Sequence, residues 1–191
     1  MAASPYVPDF GRIVEGHKVL VRPGLDIPDL PGPTTISILV CPHSDIQGIT
    51  QVFTPKDHHW MLLWGPVKLE GRYYRVIQAT REWDPRANPT IASTARRLDF
   101  LTNPGPKTLS LTTKTEEHGK FVPVGVLSPE ARMVLERIAK NHPVHVPDGA
   151  WNCQDFVAEI LGKAVDQGLF DRTAVDDALK VAEKGLSEKR G

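Results

Sequence analysis

The stretch Ala150-Trp151-Asn152-Cys153-Gln154-Asp155-Phe156-Val157 puts a thiol where a loop runs into a helix. Apolar residues at Cys153, Phe156, Val157, Ile160 and Leu161 follow the i, i+3, i+4, i+7, i+8 spacing of one buried helix face. Asp148 or Asn152 is placed to cap the open N–H groups. A cysteine in that first turn feels the positive end of the helix dipole, which lowers its pKa and raises its thiolate fraction. The same spacing suits a small buried residue on a core stripe, a common fate of free cysteine.

A second stretch, Asp57-His58-His59-Trp60-Met61-Leu62-Leu63-Trp64-Gly65, favours chemistry. Cysteine catalysis needs a base beside the thiol and a third group to orient that base. Histidine is the usual base because its pKa lies near neutrality. His59 opens an apolar run that reads as a central strand, and the rim of such a strand can face the N-terminus of a packed helix. Gln78 lies on the next strand, where its carbonyl oxygen can accept from the imidazole and fix the tautomer without adding charge. Cys153, His59 and Gln78 are therefore the candidate catalytic residues. Trp60, Trp151 and Asn152 are the candidate substrate-binding residues. Trp60, Trp64, Trp83 and Trp151 crowd the proposed site in sequence, and core packing is the alternative use of those rings. His58 and His59 point to opposite strand faces, so only one of them can meet the thiol; a solvated loop histidine is the expected fate of His58.

These residues need elements to position them. Residues 1–16 read as an irregular arm, and 17–191 as one α+β catalytic domain. Short strands are expected at His17–Arg22 and Thr34–Val40, with Ile46–Phe53 ambiguous. His59–Trp64, closed by Gly65-Pro66, and Tyr73–Ala79 form a hairpin turned by Lys68–Arg72. Asn88-Pro89-Thr90 opens a short helix through Arg97 and Leu98, broken by Asn103-Pro104-Gly105-Pro106. Thr108–Thr113 and Phe121–Val126 alternate as strands, with polar loop at Thr115–Lys120. Ser128-Pro129-Glu130 starts a helix to about Asn141, buried through Met133, Val134, Leu135 and Ile138. A proline-bearing loop, His142–Gly149, leads into the cysteine helix. After Gly168, Asp171 or Thr173 caps a last helix, with Val175, Leu179, Val181, Ala182 and Leu186 on its apolar side. Ser187–Gly191 is a charged tail. Strands first and helices last argue α+β with a central antiparallel sheet.

His59-Trp60-Met61-Leu62-Leu63-Trp64-Gly65 resembles the histidine strand of the circularly permuted papain-like cysteine enzymes. That superfamily includes the lecithin:retinol acyltransferase-like proteins and the PPPDE peptidases. Trp151-Asn152-Cys153-Gln154-Asp155-Phe156-Val157 is similar to their Asn-Cys-Glu-His-Phe motif at the start of the nucleophile helix. The order, histidine before cysteine, agrees as well. Members of the acyltransferase-like branch commonly carry a second histidine where Gln78 stands here. The resemblance covers residues 55–80 and 145–165. It implies a permuted papain-like arrangement and acyl transfer to or from an amide, ester or thioester. Cys153 would be the nucleophile, His59 the base, and the Cys153 N–H an oxyanion donor. Amide-bond formation in small-molecule or peptide biosynthesis, and a non-catalytic binding module of the same fold, are the alternatives.

Composition sets the outer limits. The chain has 191 residues with 23 basic and 23 acidic side chains, a formal net charge of zero. That gives no broad basic footprint for nucleic acid. No apolar run approaches the roughly 18 residues of a membrane span. The N-terminus lacks a basic region followed by an apolar core, so no secretion signal is expected. The two cysteines, Cys41 and Cys153, make no disulfide framework, and a cytoplasmic setting is expected. Cys41-Pro42-His43, His58-His59 and His142-Pro143-Val144-His145 hold metal-ligating types without a recognised metal spacing. Gly-x-Ser-x-Gly and Gly-rich phosphate motifs are missing. The reading therefore calls for no metal and no cofactor. The expected partner is a small-molecule or peptide acyl substrate.

Overall fold

Period-two runs of β-branched and apolar residues build the sheet, and 3.6-period stripes build the helices that cover it. The structure is a computed structural model that describes residues 4–14, 17–18, 24–42, 54–68, 72–83, 97–146 and 150–186. A 3-10 turn at Pro8–Gly11 precedes β1 (Ile13–Val14), which pairs with β2 (His17–Lys18). Next come β3 (Thr34–Val40), β4 (Trp60–Lys68), β5 (Tyr73–Ile77), β6 (Thr80–Trp83), β7 (Arg97–Thr102) and β8 (Lys107–Ser110). α1 (Thr113–His118), β9 (Lys120–Leu127), α2 (Pro129–Lys140), α3 (Cys153–Asp166) and α4 (Arg172–Glu183) complete the order. Five strands form one antiparallel sheet in the order β8-β5-β4-β3-β9, and β6 pairs with β7 apart from it. The chain is thus α+β, with an antiparallel sheet and helices gathered at its C-terminal end. Among the described residues no helix is long and apolar enough to cross a membrane.

One sheet face carries Ile36, Ile38, Val40, Trp60, Leu62 and Trp64. α3 lays Phe156, Val157, Ile160 and Leu161 on that core, and α4 adds Val175, Ala178 and Ala182. Each large aliphatic or aromatic side chain buried there stabilises the fold by roughly 1.5–3 kcal/mol. The other face holds Leu39, Cys41, Met61, Leu63, Tyr74 and Val76. α1 docks beside it, Tyr74 Oη donating to Glu116 Oε1 at 2.9 Å. Because both faces of β4 are covered, its sequence reads as a continuous apolar run, without alternation.

Several sequence expectations change. Thr115–Lys120 is largely helix, because Thr112 accepts from the Thr115 N–H and caps α1. Arg97 and Leu98 lie in β7, so no helix runs through them. The start of that expected helix at Asn88, and the segment Ile46–Phe53, lie outside the described residues, as do Val19–Arg22 and Ser187–Gly191. β4 does not stop at Gly65-Pro66 but continues to Lys68 past a register shift. Gly65 makes this passage feasible: its φ is 140°, and a Cβ there would sit 2.9 Å from the Val67 nitrogen. Met133 and Val181 face solvent, at 71% and 40% exposure. The buried stripe of α2 instead runs through Arg132, Leu135 and Ala139.

Arg132 takes a core position because each of its three guanidinium nitrogens finds an acceptor. Its Nε donates to Asp29 Oδ2 at 2.9 Å, and Nη1 donates to the Gly32 and Leu127 carbonyls at 2.8 and 3.1 Å. Nη2 donates to the Leu30 carbonyl. Trp64 Nε1 donates to the other Asp29 oxygen at 2.8 Å. The guanidinium thereby ties the proline-rich 24–33 segment to α2 and the sheet. Arg132→Ala is expected to lower unfolding free energy by about 3–5 kcal/mol in urea titration, since Asp29 and three carbonyls lose their donor.

Candidate active site

α3 begins at Cys153 because Asn152 caps it. Asn152 is extended (φ −148°), and its side chain accepts from the Gln154 N–H at 2.7 Å. Asp155 Oδ2 accepts from the Asn152 N–H at 2.8 Å, completing a capping box. Of the two sequence candidates for the cap, Asn152 fills the role; Asp148 lies outside the described residues. The thiol therefore sits at the positive end of a 14-residue helix.

His59 immediately precedes β4. A 3-10 turn at Pro55–Asp57, closed by Thr54 and Asp57, delivers the chain to it. The His59 carbonyl accepts from the Cys41 N–H at 2.9 Å, which fixes the backbone against the end of β3. Gln78 follows β5 directly. β4 and β5 pair with Leu62 opposite Ile77, so the residues flanking that end of the hairpin meet. His59 Nε2 lies 2.7 Å from Gln78 Oε1. The amide oxygen only accepts, so Nε2 carries the proton and Nδ1 is the nitrogen left for the thiol.

Cys153 and His59 lie close enough for each to shift the other's titration. Burial pulls the His59 pKa down. The adjacent Cys153 sulfur, its thiolate charge and the bond to Gln78 outweigh it, leaving the pKa above its ordinary value. Burial pushes the Cys153 pKa up. The adjacent His59 ring, its imidazolium charge, and the N–H groups of Trp60 and Cys153 outweigh it, leaving the pKa below its ordinary value. Both shifts run toward the thiolate–imidazolium pair and away from the neutral one. Cys41 has no such help: burial, then the nearby Cys153 charge, push its pKa to about 12.

The structure thus brings together Cys153, His59 and Gln78. Asn152 and Trp60 line a cleft of about 510 Å³ beside the start of α3, together with Pro55, Ala150, Gln154 and Leu179. Trp60 is only 2% exposed and packs in the main core; among the described residues its indole N–H has no acceptor. Trp151 does not line that cleft. Its ring stacks on His145 at 4.8 Å and meets Phe156 edge-on, while Nε1 donates to Glu159 Oε1 at 2.7 Å. His58 is not solvated, contrary to expectation. It is buried, with Nδ1 3.1 Å from the Cys41 carbonyl, because the 3-10 turn folds it inward against Gly185. Among the described residues no group of three metal-ligating side chains gathers.

Sequence reasoning missed two features. The first is a polar chain between the end of α2 and α3: the buried His142 has Nε2 2.9 Å from Glu159 Oε2 and Nδ1 2.9 Å from Lys163 Nζ. The lysine only donates, so Nδ1 accepts and the imidazole is neutral. Desolvation, then the Lys163 charge, lower the His142 pKa against the pull of Glu159. A histidine held neutral in the fold loses stability when the unfolded chain takes up its proton first. Stability is therefore full above about pH 6.5 and falls as pH drops through that value toward the lowered folded pKa. Urea titrations at pH 7.5 and pH 5.5 are expected to show this fall, and His142→Gln to flatten it. The second is Gln154, whose side-chain amide reaches the carbonyls of Pro55 and His58. Its place beside Cys153 in the sequence was the one available clue.

Neither a family model, nor a curated protein, nor a solved structure matches the chain.

Proposed function

We propose that this chain is a cysteine-dependent acyl-transfer enzyme, a hydrolase or acyltransferase with a permuted papain-like arrangement. It would act on an amide, ester or thioester of a small molecule or peptide. The observation that carries this reading is the meeting of Cys153 and His59, with the Cys153 sulfur 3.9 Å from the His58 carbonyl and His59 Nε2 held 2.7 Å from Gln78 Oε1. Two elements distant in sequence converge to make it, and a nucleophile, a base and an orienting group is the set such chemistry requires.

Cys153 gives its proton to His59 Nδ1, and the sulfur attacks the substrate carbonyl carbon. A C–S bond forms, and the carbonyl electron pair moves to oxygen. The Cys153 N–H at the helix start donates to that oxyanion. Collapse breaks the bond to the leaving group, which departs with the proton from His59. Water, an amine or an alcohol then gives a proton to His59, attacks the thioester, and releases the acyl product and the thiol. Gln78 Oε1 holds the Nε2 proton throughout, so the ring keeps its tautomer and its aim. The test is turnover of activated esters and thioesters, with an acyl adduct on Cys153 sought by intact-mass measurement. Failure of both with the folded chain sinks the reading and favours a binding module.

A further inference from the structure

Gln154 lies one residue past Cys153, and its amide reaches across to the segment that ends in His59. Nε2 donates to the Pro55 carbonyl at 2.9 Å and to the His58 carbonyl at 2.9 Å. A primary amide nitrogen has two hydrogens, and both are engaged. The His58 carbonyl belongs to the peptide unit that leads directly into His59. The same oxygen stands 3.9 Å from the Cys153 sulfur. On the opposite side, the His59 carbonyl and the His58 ring are pinned to Cys41. The backbone around His59 is therefore fixed to β3 by Cys41 and to the start of α3 by Gln154.

The His58 carbonyl has a second consequence. It accepts from the neutral thiol but opposes the thiolate with its partial negative charge. An N–H bonded to that oxygen offsets part of the opposition. The nearby carboxylates are already engaged: Asp57 Oδ2 accepts from Thr54 at 2.7 and 2.8 Å, and Asp155 Oδ2 from the Asn152 N–H at 2.8 Å.

We propose that Gln154 is a positioning residue, whose amide clamps the Pro55 and His58 carbonyls to hold the His59 imidazole against the Cys153 sulfur. This rests on the acyl-transfer reading and extends it to a fourth side chain. Gln154→Met keeps length and helix propensity while removing both donors. Gln154→Glu keeps the shape and presents oxygens to the two carbonyls. The measurement is iodoacetamide labelling of Cys153 against pH in the folded full chain, with Cys41 as internal control. Gln154→Met is expected to move the labelling midpoint up by about one pH unit, which is about tenfold slower labelling at pH 6. Gln154→Glu is expected to move it further, and Cys41 to stay unlabelled in both. A role in stability alone would lower the unfolding midpoint and open Cys41 while leaving the Cys153 profile in place. Folded variants that label within twofold of the unsubstituted chain overturn the proposal, as does loss of the fold in both. If the unsubstituted chain labels as an ordinary thiol, the acyl-transfer reading falls first and takes this one with it.

Discussion

Cys153→Ala and His59→Ala are each expected to lower acyl turnover by about ten-thousand-fold, with the double substitution adding little. The near-equality follows from the geometry. On the acyl-transfer reading the sulfur would be a nucleophile because the imidazole takes its proton, and the imidazole would have nothing to activate once the sulfur is gone. Groups that act as a unit lose their effect as a unit. Intact-mass measurement separates the two variants: Cys153→Ala should show no acyl adduct, and His59→Ala a slow one. Gln78→Ala should lose less, because the imidazole remains beside the thiol and only its aim and tautomer are released. Undiminished turnover in Cys153→Ala would place the chemistry elsewhere in the chain. Product analysis with an added amine then divides hydrolysis from amide-bond formation, since both pass through the same thioester.

How much of this could be read from sequence depends on what kind of contact each residue makes. The helix face of α3 was legible because Phe156, Val157, Ile160 and Leu161 repeat at helical spacing and all four are buried. The strand pair that carries His59 and Gln78 was legible from two apolar runs and a turn between them. Arg132 was not, because a guanidinium becomes a core residue only when Asp29 and three carbonyls gather around it. Asp29, Leu30 and Gly32 are about a hundred residues away and leave no periodic trace. His58 was misread for a related reason. It lies in the exit of the 3-10 turn, before β4, and its ring packs against Gly185 just past α4, so facing away from the thiol did not mean facing water. Gln154 was legible as a type and a position, yet its two carbonyl contacts need the 3-10 turn at Pro55–Asp57, whose local signal was the Thr54-Pro55-Lys56-Asp57 capping pattern. α1 was lost because Thr112-Thr113-Lys114-Thr115 looks like loop until the cap is recognised.

At pH 6, iodoacetamide is expected to label Cys153 at least about a hundredfold faster than Cys41, measured by peptide mapping of the folded chain. Both thiols are at least partly buried, so exposure alone does not set the ratio. Their electrostatic settings differ in sign. Cys41 lies against Leu39, Met61 and Leu63, where burial drives its pKa to about 12 and leaves almost no thiolate. Cys153 suffers the same desolvation, but His59 and the N–H groups of Trp60 and Cys153 reverse it. The sign of the pH dependence follows. Labelling of Cys153 should persist well below pH 8.5, where an ordinary thiol has faded, and should fail only as the thiolate regains its proton. His59→Ala removes the largest favourable contribution and leaves the desolvation, so the labelling midpoint should rise past that of an ordinary thiol. Equal, slow labelling of Cys41 and Cys153 would mean that the sulfur and the imidazole are neighbours without being a catalytic pair. In that event the fold would present a cleft for binding, and the chemistry argued from Cys153 would have no nucleophile.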